Sequence, residues 1–143
     1  MNYLELIKNG NWKILQFIDN QTEEMCLEAI KQCFWAIEFV KNQTYKICLE
    51  AVQNHGMTLE YVKNQTYELC LEAIIGWSAS IQFIHDQTPE FCLLAIKGDA
   101  FNIKFLKIQT YELCLLAVQK NSKYLTLIRD PEMKKRIKSE LNL

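Results

Sequence analysis

Six cysteines and two histidines are the side chains of this 143-residue chain with the widest chemical reach. Thiolates and imidazoles supply metal ligands, nucleophiles and general bases. Spacing decides which of these is available. Cys26, Cys48, Cys70, Cys92 and Cys114 recur at a fixed interval of 22 residues. A metal site needs ligands converging on one ion, whereas equivalent positions of stacked helices stand roughly 8 to 10 Å apart. One thiol per layer therefore builds neither a zinc site nor a disulfide. The column is expected to be core packing by small, buried, reduced side chains, with no metal and no cofactor. Cys33 stands outside the column, in a turn, and is expected to be a passive thiol. His55 and His85 fall in different columns with no recurring acid or cysteine beside either. A catalytic base needs a positioned partner, so both are expected at the surface. The chain carries no Gly-rich phosphate loop and no His/Glu metal motif. It is expected not to be an enzyme.

Two polar columns share the interval. Gln21, Gln43, Gln65, Gln87 and Gln109 recur without exception, and a ladder of amides bonding backbone groups of adjacent units accounts for them. Lys41, Lys63, Lys107 and Arg129, with His85 between them, form a basic column that could touch a phosphate backbone. Cations are favourable at helix C-termini in any case. The formal net charge of -1 also lacks the basic excess of a dedicated nucleic-acid binder. Nucleic-acid association through Lys41, Lys63, Lys107 and Arg129 is the alternative function.

The elements that must position these columns follow from the repeat. Gln-Thr occurs at 21, 43, 65, 87 and 109 with no insertion between copies, and each is followed by Cys-Leu-x-Ala. Between copies, Leu15, Ile37, Leu59, Ile81, Ile103 and Leu125 precede an aromatic or leucine two positions on. Each unit thus holds two short apolar segments. Boundary chemistry makes both of them helices. Thr88-Pro89 is an N-cap followed by the first helical position, and Glu24, Glu90 and Glu112 suit the positive end of the dipole. Gly56, Gly76 and Gly98 suit left-handed C-caps, as do Asn20, Asn42 and Asn64 for the other segment, whose own N-caps are expected at Thr58, Ser80 and Asn102. The helices are expected to be about 7 and 10 residues long, too short to be stable alone, so they must stack. Residues 1–10 read as an N-terminal cap helix, 11–129 as the repeats and 130–143 as a C-terminal cap helix. The last begins at Asp130-Pro131 with Met133, Ile137 and Leu141 on one face. The expected fold is an all-α solenoid of two-helix repeats in a single domain, 1–143. No apolar run spans a bilayer, and Glu5 and Lys8 break the stretch a signal peptide would need, so a cytoplasmic protein without membrane contact is expected.

Asn-Gln-Thr-x-x-x-Cys-Leu-x-Ala, shown best by residues 43–66, resembles a family of short tandem helical repeats of unknown function. That family is abundant in giant viruses of amoebae and found in some bacteria and mobile elements. The resemblance covers residues 11–129 and implies a repeat scaffold of viral or virus-like origin acting on host macromolecules. Asp86 and Ile108 depart from it where Asn would stand.

Positions that break the repeat carry the functional expectation. Phe34, Trp35, His55, Met57, Trp77 and Phe101 lie in the turns joining second helix to first, while the neighbouring helices keep the pattern. Variable edges of a rigid array are where specificity is built, and aromatics and methionine are interface-enriched. A protein partner, such as a host factor, is expected on this edge. The column Glu28, Glu50, Glu72 turns apolar at Leu94 and Leu116, which is expected to meet the C-terminal cap.

Overall fold

The computed structural model describes residues 2–143, and every element among them is helical. The chain is an α-solenoid in which α-helices, five of them of ten residues between terminal helices of six and eleven, alternate with six-residue 3-10 helices. The α-helices are α1 (Tyr3–Lys8), α2 (Glu23–Gln32), α3 (Tyr45–Asn54), α4 (Tyr67–Gly76), α5 (Pro89–Gly98), α6 (Tyr111–Lys120) and α7 (Pro131–Leu141). The 3-10 helices are η1 (Trp12–Phe17), η2 (Phe34–Phe39), η3 (Gly56–Tyr61), η4 (Ser78–Phe83), η5 (Ala100–Phe105) and η6 (Ser122–Leu127). Two compact units result, Met1–Trp77 and Ser78–Leu143. In the first, α1 to α4 pack in series against one another and against η1 to η3; in the second, α5 to α7 and η4 to η6 do the same.

The α-helices form where the reading places them. Thr22, Thr44, Thr66, Thr88 and Thr110 adopt extended backbone and accept a hydrogen bond from the N–H three residues on, each capping its helix, with Pro89 at the first position of α5. The buried set of α4 is Leu69, Cys70, Ala73 and Ile74. That spacing is one helical stripe. Ala29, Ala51, Ala73, Ala95 and Ala117 are each 0% exposed, and their small side chains let the neighbouring 3-10 helix come close.

The second element differs from the expected α-helix. It is a 3-10 helix, in which a buried residue and the buried C-cap (Leu15 and Ile18, Ile37 and Val40, Leu59 and Val62) sit three residues apart and so line up at three residues per turn. The helix also starts earlier than Thr58, Ser80 or Asn102. Those residues lie inside η3, η4 and η5 and are buried. The Thr58 hydroxyl donates to the His55 carbonyl at 2.8 Å and the Asn102 amide to Ser78 Oγ and the Ala95 carbonyl at 3.0 Å each. Ser80 Oγ is buried without a partner.

The left-handed caps expected at Gly56, Gly76, Gly98, Asn20, Asn42 and Asn64 do not form. Positive φ occurs at Gly10 and Asn142 alone among the described residues. Gly10 closes α1, with Asn11 N–H reaching back to the Leu6 carbonyl at 3.0 Å. Elsewhere a single extended residue joins α to 3-10: Cys33, His55, Trp77, Asp99 and Asn121, with φ of -151, -159, -144, -147 and -156. Such a residue ends one helix and begins the next, leaving no room for a glycine turn. Gly98 is retained for space: a Cβ there would lie 2.6 Å from Ser78 Cβ.

At the C-terminal end, Asp130 caps α7 through the N–H groups of Glu132 (2.9 Å) and Met133 (3.3 Å), and Ile137 is fully buried between half-buried Met133 and Leu141. Leu94 and Leu116 are half-buried. No helix of the described residues is long and apolar enough to cross a membrane.

Candidate interaction surface

The glutamine column ties successive 3-10 helices together. Gln21 Nε2 donates to the Leu15 carbonyl of η1 at 2.9 Å and to the Phe39 carbonyl of η2 at 2.8 Å, while its Oε1 accepts from Lys41 N–H at 2.8 Å. Gln43 repeats this with Ile37, Tyr61 and Lys63 (3.5, 2.8 and 2.9 Å). In the second unit, Gln87 bonds Ile81, Phe105 and Lys107 (2.8, 3.2 and 2.7 Å) and Gln109 bonds Ile103, Leu127 and Arg129 (2.9, 3.0 and 2.8 Å). Six residues is long for a 3-10 helix. The amide adds a second donor to a carbonyl that already accepts an i to i+3 bond, as Leu15 does from Ile18 N–H at 3.2 Å, and satisfies the last carbonyl of the next 3-10 helix, as at Phe39.

The column cysteines sit beneath this ladder. Cys26 and Cys48 place Sγ 3.9 Å from Oε1 of Gln21 and Gln43, and Cys92 Sγ is 3.8 Å from the Gln87 carbonyl. All six cysteines are free thiols, with Cys33 half-buried and the rest buried. Burial, aided by the Glu23 charge, pushes the Cys26 thiol up to about 11. Burial does the same at Cys114, and raises Cys48 and Cys92. Such thiols are poor nucleophiles. Among the described residues no three His, Cys, Asp or Glu side chains cluster as metal ligands.

The basic column is turned onto the protein's own backbone. Lys63 Nζ donates to the Lys41 carbonyl at 3.3 Å, Lys107 Nζ to the His85 carbonyl, and the Arg129 guanidinium to the Leu106 and Lys107 carbonyls. Lys41 pairs with Asp19 at 2.8 Å, and that hydrogen bond and charge hold the Asp19 carboxyl below its usual range. These cations neutralise the negative ends of the 3-10 helices, the role cations take at helix C-termini.

The irregular residues lie on the first turns of the 3-10 helices or at the single-residue junctions before them. Phe34, Trp35 and Met57 occupy the first turns of η2 and η3, and His55 and Trp77 are the junction residues of their repeats. In the first unit four of them form one cluster. The His55 ring lies between Phe34 (centroids 4.8 Å, planes 22° apart) and Trp77 (4.1 Å, 16°). Trp35 stands 5.3 Å from Phe34, 5.5 Å from His55 and 5.9 Å, edge-on, from Tyr61. Trp35 and Trp77 remain 37% and 47% exposed, so the cluster is presented outward while its rings hold one another. His55 is fixed further by Nδ1, which accepts from Met57 N–H at 3.3 Å. Asp99 and Asn121 cap η5 and η6 in the same way through Oδ1.

Phe101 belongs to the other unit and a different environment. Its ring is 6.4 Å from Phe105 and 6.0 Å from Tyr124, and the Lys104 ammonium lies 3.9 Å above it and 4.6 Å from the Phe105 ring. Tyr61 is the member of the first cluster that the reading did not single out. It occupies a regular aromatic column, so nothing in its own position marked it; its contact with Trp35 does.

Residues 22–66, which hold Phe34, Trp35, His55, Met57 and Tyr61, match a family model described as "Domain of unknown function (DUF4116)". The match runs from the N-cap of α2 to the N-cap of α4, two repeat units. No curated protein and no solved structure matches the chain.

Proposed function

We propose that this protein is a non-enzymatic scaffold that binds another protein, and that Phe34, Trp35, His55 and Trp77 form the centre of its contact surface in the first unit. The observation that carries the reading is a pre-stacked, outward-facing aromatic cluster held at or beside the single-residue junctions between α-helices and 3-10 helices. Ordering costs oppose binding, and a ring clamped between two others has already lost its freedom in folding. Tryptophan and its neighbours are also the types that dominate interface energetics. The basic column supports a protein partner over nucleic acid, because Lys63, Lys107 and Arg129 are engaged with carbonyls of the chain and Lys41 with Asp19. The setting we propose is that of a viral or virus-like protein occupying a host factor in the host cytoplasm.

The test compares wild type with Trp35→Ala and Trp77→Ala, first in affinity capture of the partner and then by calorimetric titration with the purified partner. Each variant should weaken binding by about 2 kcal/mol or more, roughly 30-fold. Loss of one exposed stacked ring should cost about 1 kcal/mol of stability, a shift of a few degrees in melting temperature. Undiminished affinity in both variants would remove this surface from consideration.

A further inference from the structure

We propose that the aromatic face of the first unit takes up the lysine or arginine side chain of a basic peptide segment in the partner, an inference that rests on reading this face as the partner-binding surface. The second unit shows the arrangement occupied from within. In η5, Phe101, Lys104 and Phe105 stand at the second, fifth and sixth positions, and the Lys104 ammonium sits 3.9 and 4.6 Å from the two ring centroids. A cation over an aromatic face is attracted by the negative charge of the ring's surface, most strongly for tryptophan.

The corresponding positions in η2 are Trp35, Glu38 and Phe39, and in η3 they are Met57, Glu60 and Tyr61. Both helices keep a soft or aromatic pair while the lysine becomes glutamate. The ring face is thus offered without its cation, and a carboxylate stands at the place of the ammonium. Glu38 and Glu60 are exposed, and among the described residues neither lies within ion-pair distance of a lysine or arginine; the ion pairs are Lys8–Glu24, Lys41–Asp19 and Lys46–Glu23. Their charges converge on the cluster: after burial, Glu38 and Glu60 are what hold the Tyr61 phenol above its usual value. Exposed rings beside unneutralised carboxylates complement a cation on a long aliphatic stem, whose methylenes cover ring and whose head meets charge. The same comparison removes Phe101 from the binding set, since its face is already covered by Lys104.

The probe is an end-blocked lysine-rich peptide, titrated calorimetrically into the full chain beside the same peptide with its lysines acetylated. The lysine peptide should bind and the acetylated one should not. Glu38→Gln with Glu60→Gln should weaken binding about tenfold, as should Trp35→Ala. Removing the same charge from α4 by Glu68→Gln with Glu72→Gln should change it less than about twofold, long-range attraction being screened. Glu38→Lys places an ammonium where Lys104 stands in η5 and should abolish binding. Equal binding of the two peptides, or equal effects of the two glutamine pairs, would overturn the proposal. A natural partner that needs Trp35 yet is indifferent to Glu38→Lys would overturn it too, while leaving the scaffold reading intact.

Discussion

Replacing Gln21 by methionine keeps the length and flexibility of the side chain and removes its amide. Three hydrogen bonds are lost, to the Leu15 carbonyl (2.9 Å), the Phe39 carbonyl (2.8 Å) and Lys41 N–H (2.8 Å), along with the 3.9 Å contact from the Cys26 thiol. A net value of about 1 kcal/mol for each bond gives a loss of about 3 kcal/mol. The Leu15 carbonyl keeps its bond from Ile18 N–H, whereas the Phe39 carbonyl lies at the end of η2, where half-burial of the site keeps water from replacing the amide fully. Urea unfolding followed by far-ultraviolet circular dichroism measures the loss, with exposed Gln53→Met as the control, expected within about 0.5 kcal/mol of wild type. Gln21→Glu is the sharper variant. It keeps the acceptor and, when ionised, has no proton to give to either carbonyl, so it should be no more stable than Gln21→Met at neutral pH. Its protonated form can donate once. The folded chain then holds that proton more tightly than the unfolded chain, and the deficit should shrink on acidification and grow as pH rises through the carboxylate range. A Gln21→Met variant indistinguishable from Gln53→Met, or a Gln21→Glu variant with wild-type stability at neutral pH, would refute the idea that the amide ladder holds the 3-10 layer together.

Two further outcomes follow from the core. Native protein treated with a thiol reagent should label Cys33 quickly and the five buried column cysteines only as the chain opens, so more than one fast thiol would contradict the packing described. Because burial lifts the Cys26 and Cys114 thiols from an ordinary 9.0 to about 11, the folded chain keeps these protons longer than the unfolded one. Their contribution is present below about pH 9 and is lost as pH rises toward 11, and Cys26→Ala with Cys114→Ala should flatten that fall in chemical-denaturation midpoints. Two glycines at the same repeat position should respond with opposite sign: Gly98→Ala drives a methyl to 2.6 Å from Ser78 Cβ, whereas the same methyl at Gly76 meets nothing within 4 Å. Thermal melts should show a loss of about 1 to 3 kcal/mol for Gly98→Ala and a gain of about 0.5 kcal/mol for Gly76→Ala.

The period, the helical class and the caps of the α-helices are local properties, and they stand in the sequence. Thr-x-x-x-Cys-Leu-x-Ala places an N-cap oxygen, a helical apolar stripe and a small contact residue at fixed offsets, and each acts within one turn or two. The same is true of the glutamine column, whose invariance amid varying neighbours already marked it as a backbone tie. The second helix of each unit was legible in its position but not in its geometry. Apolar pairs such as Leu15 and Ile18 fit α and 3-10 periods alike over six residues, and only in the stacked array does the Gln21 amide tie the carbonyls of η1 to the end of η2 in the next repeat. The glycines point to the same division: Gly98 reads as a helix cap until Ser78 is placed against it, 20 positions earlier in the chain. Among the irregular aromatics, the sequence separated residues free to vary from those the repeat requires, which is a statement about composition. Which rings meet is decided by stacking, because residues such as Phe34, His55 and Trp77 lie in successive repeats and come within 5 Å only when the helices between them are packed. The Lys104 ammonium over Phe101, and the glutamates that replace it in η2 and η3, acquire meaning only on that packed surface, where the residue at one position decides whether the chain's own ammonium covers a ring face.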